Sequence, residues 1–342
     1  MSELQPFRLE PYFRTRIWGF NDLAPWYEYK TEGEPIGEVW LTGEMCKVAT
    51  GPLAGLTLTE ITQKLGRGLL GSAYGTGEFP LLIKLLFPKE KLSVQVHPDD
   101  AMAQKYGEPR GKTECWYALA AEPGAEVAAG LKAGVTLEQV EREVTDGTLE
   151  ESLEILPVAA GDMVYVDAGT VHAIWPGSVL LETQQNCDLT YRLFDYGRPR
   201  ELHVAKALEA TRLQTSAGKE LPLELADRTV LVDREYFCVE KIRVDGTRTG
   251  KSMGRDLVAS TGTDSLYVGG GDAGSLQYLF AAAGSAKVAP IEAGDFGPLE
   301  LPARGIVAVP AASPEWQIED LGGLELIRIT PRFPAEQLAG AA

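Results

Sequence analysis

Short apolar stretches separated by glycine and proline turns recur along most of the chain, and this pattern restricts the folds that it can adopt. The run Leu81–Leu86 is typical of a buried strand, and residues 93–97 (SVQVH) alternate apolar and polar side chains as a half-buried strand does. Many short strands with frequent turns favour an all-β sandwich or jelly roll over a parallel α/β sheet. Further strands are predicted at residues 114–121, 153–158, 163–167, 179–184 and 189–194.

A few helices are predicted to interrupt this β pattern. Thr57 and Glu60 have the spacing of a capping box ahead of apolar residues at helical intervals. Thr136 and Gln139 repeat that signal and predict a second capped helix. A short third helix is expected at residues 203–212.

The length and one polar stretch predict the division of the chain into domains. At 342 residues the chain suits about two domains, at roughly 150 residues per domain. The polar residues 215–220 follow the last predicted helix and precede a second strand-rich part, which has glycine-rich turns at residues 269–274. We therefore predict a boundary that divides residues 1–215 from residues 216–342. Because residues 221–342 contain no histidine, a metal site is expected in the first part only.

Charge and cysteine content exclude some classes of protein and favour others. The formal net charge of −17 argues against binding to nucleic acid or acidic membranes, because both require a basic surface. It is compatible with a small anionic substrate, since a few local lysines and arginines can hold a phosphate. No apolar run reaches the ~18 residues of a membrane span, and the N-terminal residues lack a signal-peptide pattern. The four cysteines form no paired motif, so a cytoplasmic protein with reduced thiols is expected.

Four side chains in three short segments have the chemistry of a metal site. Gln95 and His97 project from the same face of one predicted strand, because alternate residues share a face. Glu114 lies at the start of another strand, and His172 follows a turn at Gly169. Two imidazoles, a carboxylate and an amide oxygen suit zinc, and also manganese, iron or cobalt. The segments are residues 95–100 (QVHPDD), 111–114 (GKTE) and 161–172 (GDMVYVDAGTVH).

Each of these residues alone has an ordinary structural explanation. A single histidine at a strand end is most often a surface or hydrogen-bonded residue, and a single glutamine on a strand is structural still more often. Their joint occurrence favours a function, because residues 161–172 match the second sequence motif of the cupins. The first cupin motif also matches, with Gln95 in the place of its first histidine, whereas Asp167 stands where the second motif usually has proline.

Four longer segments together resemble the type I phosphomannose isomerases of the cupin superfamily, in their short bacterial form. The resemblance is dense from about residue 80 to 210 and extends weakly to Trp18 and to residues 37–40 (GEVW). It implies a mainly β fold of two cupin, or jelly-roll, barrel domains with a few helical insertions. Residues 1–215 would form the metal-binding catalytic domain, and residues 216–342 a cupin-like domain without metal. The segments are residues 92–100 (LSVQVHPDD), 111–114 (GKTE), 168–174 (AGTVHAI) and 185–196 (QNCDLTYRLFDY).

The resemblance also implies roles for individual residues. One Zn²⁺ per chain, or another divalent metal, is expected to bind the four residues already considered, which are Gln95, His97, Glu114 and His172. The active-site arginine and lysine of the family correspond to Arg192 and Lys112, and its acidic partners to Glu182 and Asp188.

The family interconverts mannose 6-phosphate and fructose 6-phosphate, which requires a proton to move between C2 and C1 through a cis-enediol. We rank Glu182 first as the base that carries this proton, and Lys112 is the alternative if burial beside a cation depresses its pKa. Arg192 is a permanent cation that suits stabilisation of the enediolate or phosphate binding. We expect at least one of Arg192, Arg198, Arg200 and Lys112 to contact the phosphate.

Other functions fit parts of the same pattern. A cupin isomerase for another sugar or sugar phosphate would use the same residues. A non-catalytic sugar-sensing cupin would keep the metal but would not need Lys112, Glu182 and Arg192 beside it. A metal-dependent dioxygenase is disfavoured by the glutamine ligand. The expected partner is a small sugar phosphate, the chain is expected to be a monomer or a homodimer, and His203 is predicted to cap or pack a helix start.

Overall fold

The computed structural model describes residues 3–71, 78–244 and 274–332. Within these ranges the chain is built mainly of antiparallel strands with a few short helices, which confirms the predicted fold class. The helices are α1 (Leu58–Leu65), α2 (Arg67–Leu70), α3 (Asp100–Lys105), α4 (Leu137–Asp146) and α5 (Val204–Ala210), with a 3₁₀ turn at Leu149–Ser152. The strands are β1 (Phe7–Arg8), β2 (Tyr12–Phe20), β3 (Ile36–Trp40), β4 (Leu81–Leu86), β5 (Val94–Val96), β6 (Glu114–Ala121), β7 (Glu126–Leu131), β8 (Leu153–Pro157), β9 (Met163–Val166), β10 (His172–Ile174), β11 (Ser178–Gln185), β12 (Tyr191–Phe194), β13 (Gly218–Lys219), β14 (Leu223–Glu224), β15 (Arg228–Asp233), β16 (Phe237–Ile242), β17 (Gln277–Pro290), β18 (Leu299–Leu301), β19 (Ile306–Val309) and β20 (Trp316–Pro331).

The chain forms two compact units that are not continuous in sequence. The central unit is made by residues 13–40 and 81–221, and the C-terminal unit by the described parts of residues 1–12, 41–80 and 222–342. Strand β1 shows why the first residues belong to the second unit, since it pairs with β19. The predicted division into a metal-bearing and a metal-free domain stays a prediction.

Two sheets pack against each other in the central unit. One has the strand order β13-β9-β6-β11-β4-β3-β2, and the other has the order β12-β5-β10-β7-β8. A buried apolar cluster joins them, with Trp116 and Leu180 from the first sheet and Val127 and Ile174 from the second. This arrangement is the antiparallel sandwich that the alternating sequence pattern predicts.

Helices α1 and α4 begin where their capping residues predict. The Thr57 side chain accepts a hydrogen bond from the backbone N–H of Glu60, and the Glu60 carboxylate accepts one from the backbone N–H of Thr57. Thr136 likewise accepts from the backbone N–H of Gln139 at the start of α4. These side chains satisfy backbone donors that have no partner inside the helix.

The C-terminal unit contains an eight-stranded sheet. Its path is β1-β19-β17-β20-β16-β15-β14, and β18 pairs with β17. The long strands β17 and β20 lie side by side and carry much of a buried apolar cluster that includes Leu279 and Leu326. The predicted glycine-rich turns at residues 269–274 lie outside the described residues, apart from Gly274.

The polar stretch at residues 215–220, where a domain boundary is predicted, contains a short strand. Gly218 and Lys219 form strand β13, which pairs with β9 at the edge of the larger central sheet. The Lys219 ammonium lies 2.6 Å from the Asp162 carboxylate and fixes this edge. Polar residues are common on an exposed edge strand, so the composition of this stretch does not reveal the strand pairing. In the described part of the chain, no helix combines the length and apolar character that crossing a membrane requires.

Candidate active site

Neighbouring strands bring most of the predicted site residues into two rows. In the smaller central sheet, Gln95 on β5 lies directly opposite His172 on β10 and also opposite Arg192 on β12. In the larger sheet, Glu182 on β11 lies between Lys84 on β4 and Trp116 on β6. Because residues opposite each other in a sheet share a face, each row projects its side chains together.

The four predicted metal ligands converge at one point. The Nε2 atoms of His97 and His172 each lie 3.5 Å from a carboxylate oxygen of Glu114. The Gln95 amide nitrogen lies 3.2 Å from His172 Nε2. One ligand atom from each of His97, Glu114 and His172 can be chosen so that all lie within 4.8 Å of one another, and all three residues are buried.

The donor chemistry of this cluster fits a divalent cation. The Thr170 carbonyl oxygen lies 2.9 Å from His172 Nδ1, and when it accepts from an Nδ1–H the Nε2 lone pair faces Glu114. A cation bound between this lone pair and the carboxylate would interact favourably with both. Turning the Gln95 amide by 180° would present its oxygen instead of its nitrogen. In the structure, the Lys112 ammonium supplies part of the positive charge, at 2.9 Å from Glu114 Oε2 and 3.0 Å from His97 Nε2.

Burial keeps both histidines in the form that binds metals. Loss of solvent lowers the pKa of His97 well below the ordinary imidazole value, and the nearby Lys112 charge adds to this. Burial also lowers the pKa of His172 to about 4. Both rings are therefore neutral at physiological pH, and a neutral imidazole is the species that donates a lone pair to a metal.

A tight turn at Gly169 positions His172. The backbone N–H of Gly169 donates to the carbonyl oxygen of His97 at 2.8 Å, so the turn is tied to the segment that carries the other histidine. Gly169 has a φ of +90°, a conformation that favours glycine. A Cβ atom there would lie 2.7 Å from Arg212 Cγ and 3.1 Å from the Ala210 carbonyl oxygen.

Gly169→Ala is expected to destabilise the protein by more than Gly161→Ala. Gly161 has a similar φ of +93°, but a Cβ atom there meets nothing within 4 Å. The control therefore reports backbone strain alone, on the order of 1–3 kcal/mol, and the excess reports the contacts with Arg212 and Ala210. Urea unfolding of both variants measures this, and equal losses of unfolding free energy would show that the Gly169 contacts relax freely.

A cavity of about 550 Å³ lies in the central unit, beside the metal-ligand cluster. Its wall includes Gln95 of the cluster and the four residues predicted to be catalytic, which are Lys112, Glu182, Asp188 and Arg192. The volume lies within the ordinary range for small-molecule sites, about 300–1,000 Å³. The structure thus places the predicted metal ligands and the predicted catalytic groups at one site.

Charges of opposite sign alternate from the wall of this cavity to the metal ligands. Glu182 Oε2 lies 2.9 Å from the Lys84 ammonium, and Glu182 Oε1 lies 3.9 Å from that of Lys112. Lys84 is in turn 4.0 Å from Glu38, which accepts two hydrogen bonds from Arg16. Lys84, Glu38 and Arg16 are site residues that were not predicted from the sequence. The available signal was Lys84 itself, the only charge in a fully buried strand.

These contacts set the protonation of the buried groups. Burial raises the pKa of Glu182, and the neighbouring Glu114 carboxylate also raises it, against the opposing effect of Lys84. Burial alone would lower the pKa of Lys84, but the charges of Glu182 and Glu38 outweigh it and raise that pKa. Burial would favour neutral Glu38, but Lys84 and Arg16 outweigh it and lower the Glu38 pKa to about 2. Lys84 and Glu38 are therefore charged, whereas Glu182 takes up a proton more easily than Glu38 does.

The predicted phosphate-binding arginines are not equivalent in the structure. Arg192 and Arg200 line the cavity, whereas Arg198 is absent from its wall and donates to the Lys91 carbonyl oxygen at 2.7 Å. Arg200 is held by the buried carboxylate of Asp195 through two hydrogen bonds of 2.6 and 2.7 Å.

Two further predicted residues lie at the edge of this site. Asp188 is 39% exposed and lies 3.4 Å from Arg14 and 3.8 Å from Arg16. His203 precedes α5, as predicted, but its side chain does not cap that helix. Instead, His203 Nδ1 accepts a hydrogen bond from the backbone N–H of Arg192 at 3.3 Å. This contact connects the start of α5 to strand β12.

Comparison with known proteins identifies relatives of this chain. The sequence family "phosphomannose isomerase type I, catalytic domain" matches residues 6–144 of the chain. The mannose-6-phosphate isomerase of Streptococcus mutans is 36% identical over 256 residues, which cover 71% of this chain and 80% of the relative.

Solved structures match over nearly the whole chain. The mannose 6-phosphate isomerase from Bacillus subtilis is 31% identical, with a TM-score of 0.79 and coverage of 96% of this chain and 100% of that one. A zinc-bound mannose 6-phosphate isomerase is 16% identical, with a TM-score of 0.73 and the same coverage. The second likeness concerns the fold alone.

Proposed function

The chain belongs to the type I phosphomannose isomerases, and we propose on that basis that it interconverts mannose 6-phosphate and fructose 6-phosphate. One observation carries the proposal within this chain. The metal-ligand cluster, which includes His97, Glu114 and His172, adjoins a cavity. The wall of that cavity holds the buried acid–base groups Glu182 and Lys112. A metal-assisted aldose–ketose isomerase uses both features at one site.

We propose that the cation is a single Zn²⁺ held by Gln95, His97, Glu114 and His172. Nitrogen and oxygen donors without a thiolate suit zinc and also other divalent metals. One fold neighbour is described as zinc bound, which supports zinc as the first choice. When bound, such a cation polarises the sugar carbonyl and lowers the cost of negative charge on the sugar oxygens.

Glu182 is the residue that we assign to proton transfer between C2 and C1. It lines the cavity, it is buried, and burial raises its pKa toward the range in which a carboxylate can take and return a proton. Lys84 holds one of its oxygens at 2.9 Å and leaves the other toward Lys112 at 3.9 Å. Lys112 remains the alternative base.

Two cations are placed to stabilise the charge that develops on the sugar. Lys84 lines the cavity, and its raised pKa keeps it protonated, so it can donate a hydrogen bond to a sugar oxygen. Arg192 also lines the cavity, and its Nη1 donates to the Glu201 carbonyl oxygen at 2.7 Å, which orients the guanidinium. We assign Arg192 to the enediolate or the phosphate, and Arg200 to the phosphate.

Purified protein is expected to convert mannose 6-phosphate to fructose 6-phosphate only while metal is bound. Dialysis against a chelator should lower kcat/KM by about 10²–10⁴-fold, since a metal supplies several kcal/mol of charge stabilisation. Adding Zn²⁺ alone should restore it, and the metal content should return to about one per chain. The measurement is a coupled assay of product formation beside elemental analysis.

Two outcomes of this assay would contradict the proposal. Turnover that persists in protein shown to be free of metal would show that catalysis does not depend on a metal bound by the cluster. Tight metal binding without turnover of mannose 6-phosphate would favour a different sugar substrate or a non-catalytic sugar-sensing protein. Free mannose serves as the substrate control, and equal catalytic efficiency on it would argue against a phosphate-binding cavity.

A further inference from the structure

The guanidinium of Arg16 reaches the wall of the same cavity, and neither the metal cluster nor the proposed proton transfer uses it. Arg16 lies on β2, the edge strand of the larger central sheet. Its side chain is 24% exposed, so it is neither sealed in the core nor free in solvent. An arginine at this position can meet a ligand that enters the cavity.

Glu38 binds the Nε and Nη2 edge of this guanidinium, and the Nη1 and Nη2 edge can still donate to another acceptor. Arg16 Nε donates to Glu38 Oε1 at 2.8 Å, and Arg16 Nη2 donates to Glu38 Oε2 at 3.0 Å. Nη1 makes only a long hydrogen bond of 3.3 Å to the Thr15 carbonyl oxygen. A guanidinium has five N–H donors in a planar fork, so the Nη1 and Nη2 edge retains donors for a second bidentate acceptor.

Glu38 is itself fixed from inside the protein. It is 6% exposed and accepts a hydrogen bond from Trp40 Nε1 at 2.7 Å. Lys84 lies 4.0 Å away on its other side. Since Glu38 is ionised, it holds Arg16 through a charged pair, and the position of Arg16 is set by the buried side of the sheet rather than by solvent.

We propose that Arg16 binds the phosphate group of the substrate and determines selectivity for the phosphorylated sugar, with Glu38 as the residue that positions it. The inference rests on the proposed function. A planar fork matches two phosphate oxygens, and a chain of net charge −17 must concentrate positive charge locally to hold a dianion. Asp188 lies 3.8 Å from Arg16 Nη2, beyond hydrogen-bond distance, and it lies closer to Arg14, at 3.4 Å.

The test compares Arg16→Ala and Arg16→Lys in the metal-loaded full chain. Arg16→Ala should raise KM for mannose 6-phosphate about 10–100-fold, because hydrogen bonds to charged groups are worth that factor. The value of kcat should change by less than about 3-fold, since the contact is the same in the ground and transition states. Inorganic phosphate should inhibit Arg16→Ala correspondingly more weakly, and Arg16→Lys should lie between it and the unaltered chain.

Arg14→Ala is the matched control. Arg14 lies on the same strand, carries the same charge and also pairs with Asp188, but it stacks on Trp40 at 4.2 Å and is absent from the cavity wall. Its KM should stay within about 2-fold. Glu38→Gln should raise KM in the unaltered chain. It should have little further effect in Arg16→Ala, because Glu38 acts on the phosphate only by positioning Arg16.

The outcomes separate this inference from the proposed function. If the unaltered chain turns over mannose 6-phosphate and Arg16→Ala keeps its KM and its inhibition by phosphate, the inference is wrong and the function stands. A KM rise of equal size in Arg14→Ala would also overturn it, because the effect would then be general electrostatics. If the unaltered chain shows no turnover, calorimetric titration of inorganic phosphate into it and into Arg16→Ala decides the role of Arg16 independently.

Discussion

Glu182→Gln is expected to lower kcat about 10²–10⁴-fold, the usual range for removal of a general acid–base group. The amide has almost the same shape as the carboxylate but cannot take up and return a proton. KM and metal content should change little, because Glu182 lies outside the cluster of His97, Glu114 and His172. Steady-state kinetics and elemental analysis of the same preparation measure all three quantities.

Lys112→Met tests the competing assignment. If Glu182 carries the proton, Lys112→Met should retain exchange of the C2 proton with solvent, followed by NMR in heavy water, even where turnover slows. If Glu182→Gln keeps near-normal turnover while Lys112→Met abolishes that exchange, the base is Lys112. The Lys112 ammonium lies 3.9 Å from Glu182 and 2.9 Å from Glu114. Lys112 and Glu182 are therefore close enough to each other that either could reach the same substrate proton.

Part of the candidate metal cluster could be predicted because its signals are local. A period of two along a strand puts Gln95 and His97 on one face, and a glycine turn ahead of His172 returns that residue to the sheet. The structure adds the pairing of β5 with β10, which sets Gln95 opposite His172, and the approach of Glu114 from β6 in the other sheet. Capping residues are also local signals, which explains why α1 and α4 begin as predicted.

Other parts of the site depend on pairing between distant strands, and the sequence pattern does not contain it. Lys84 and Glu182 are cross-strand partners on β4 and β11, although nearly a hundred residues separate them in the sequence. Within its own strand, Lys84 is only a charge among leucines and isoleucine. The same limit applies to β1, whose pairing with β19 assigns the first residues to the C-terminal unit. Strand register at such separations is set by tertiary packing rather than by local preference.

Glu114→Gln is expected to lose metal as well as activity, unlike Glu182→Gln. Glu114 is 1% exposed and is the only carboxylate in the cluster, where it faces both histidines at 3.5 Å. The neutral amide removes the negative charge that offsets the cation. Metal affinity should fall by at least about 10²-fold, because changes even to the hydrogen-bond partners of ligands cost about 10–100-fold.

The two Glu→Gln variants are matched controls for each other. Both residues are buried, both accept from lysine, and they lie on neighbouring strands, since Glu182 is opposite Trp116 and Glu114 is two residues before it. Excess Zn²⁺ should therefore rescue part of the activity of Glu114→Gln and none of that of Glu182→Gln. Titration of each metal-free variant with Zn²⁺ measures the difference. If Glu114→Gln binds Zn²⁺ as tightly as the unaltered chain, Glu114 is not a ligand, and its place in the cluster reflects only its ion pair with Lys112.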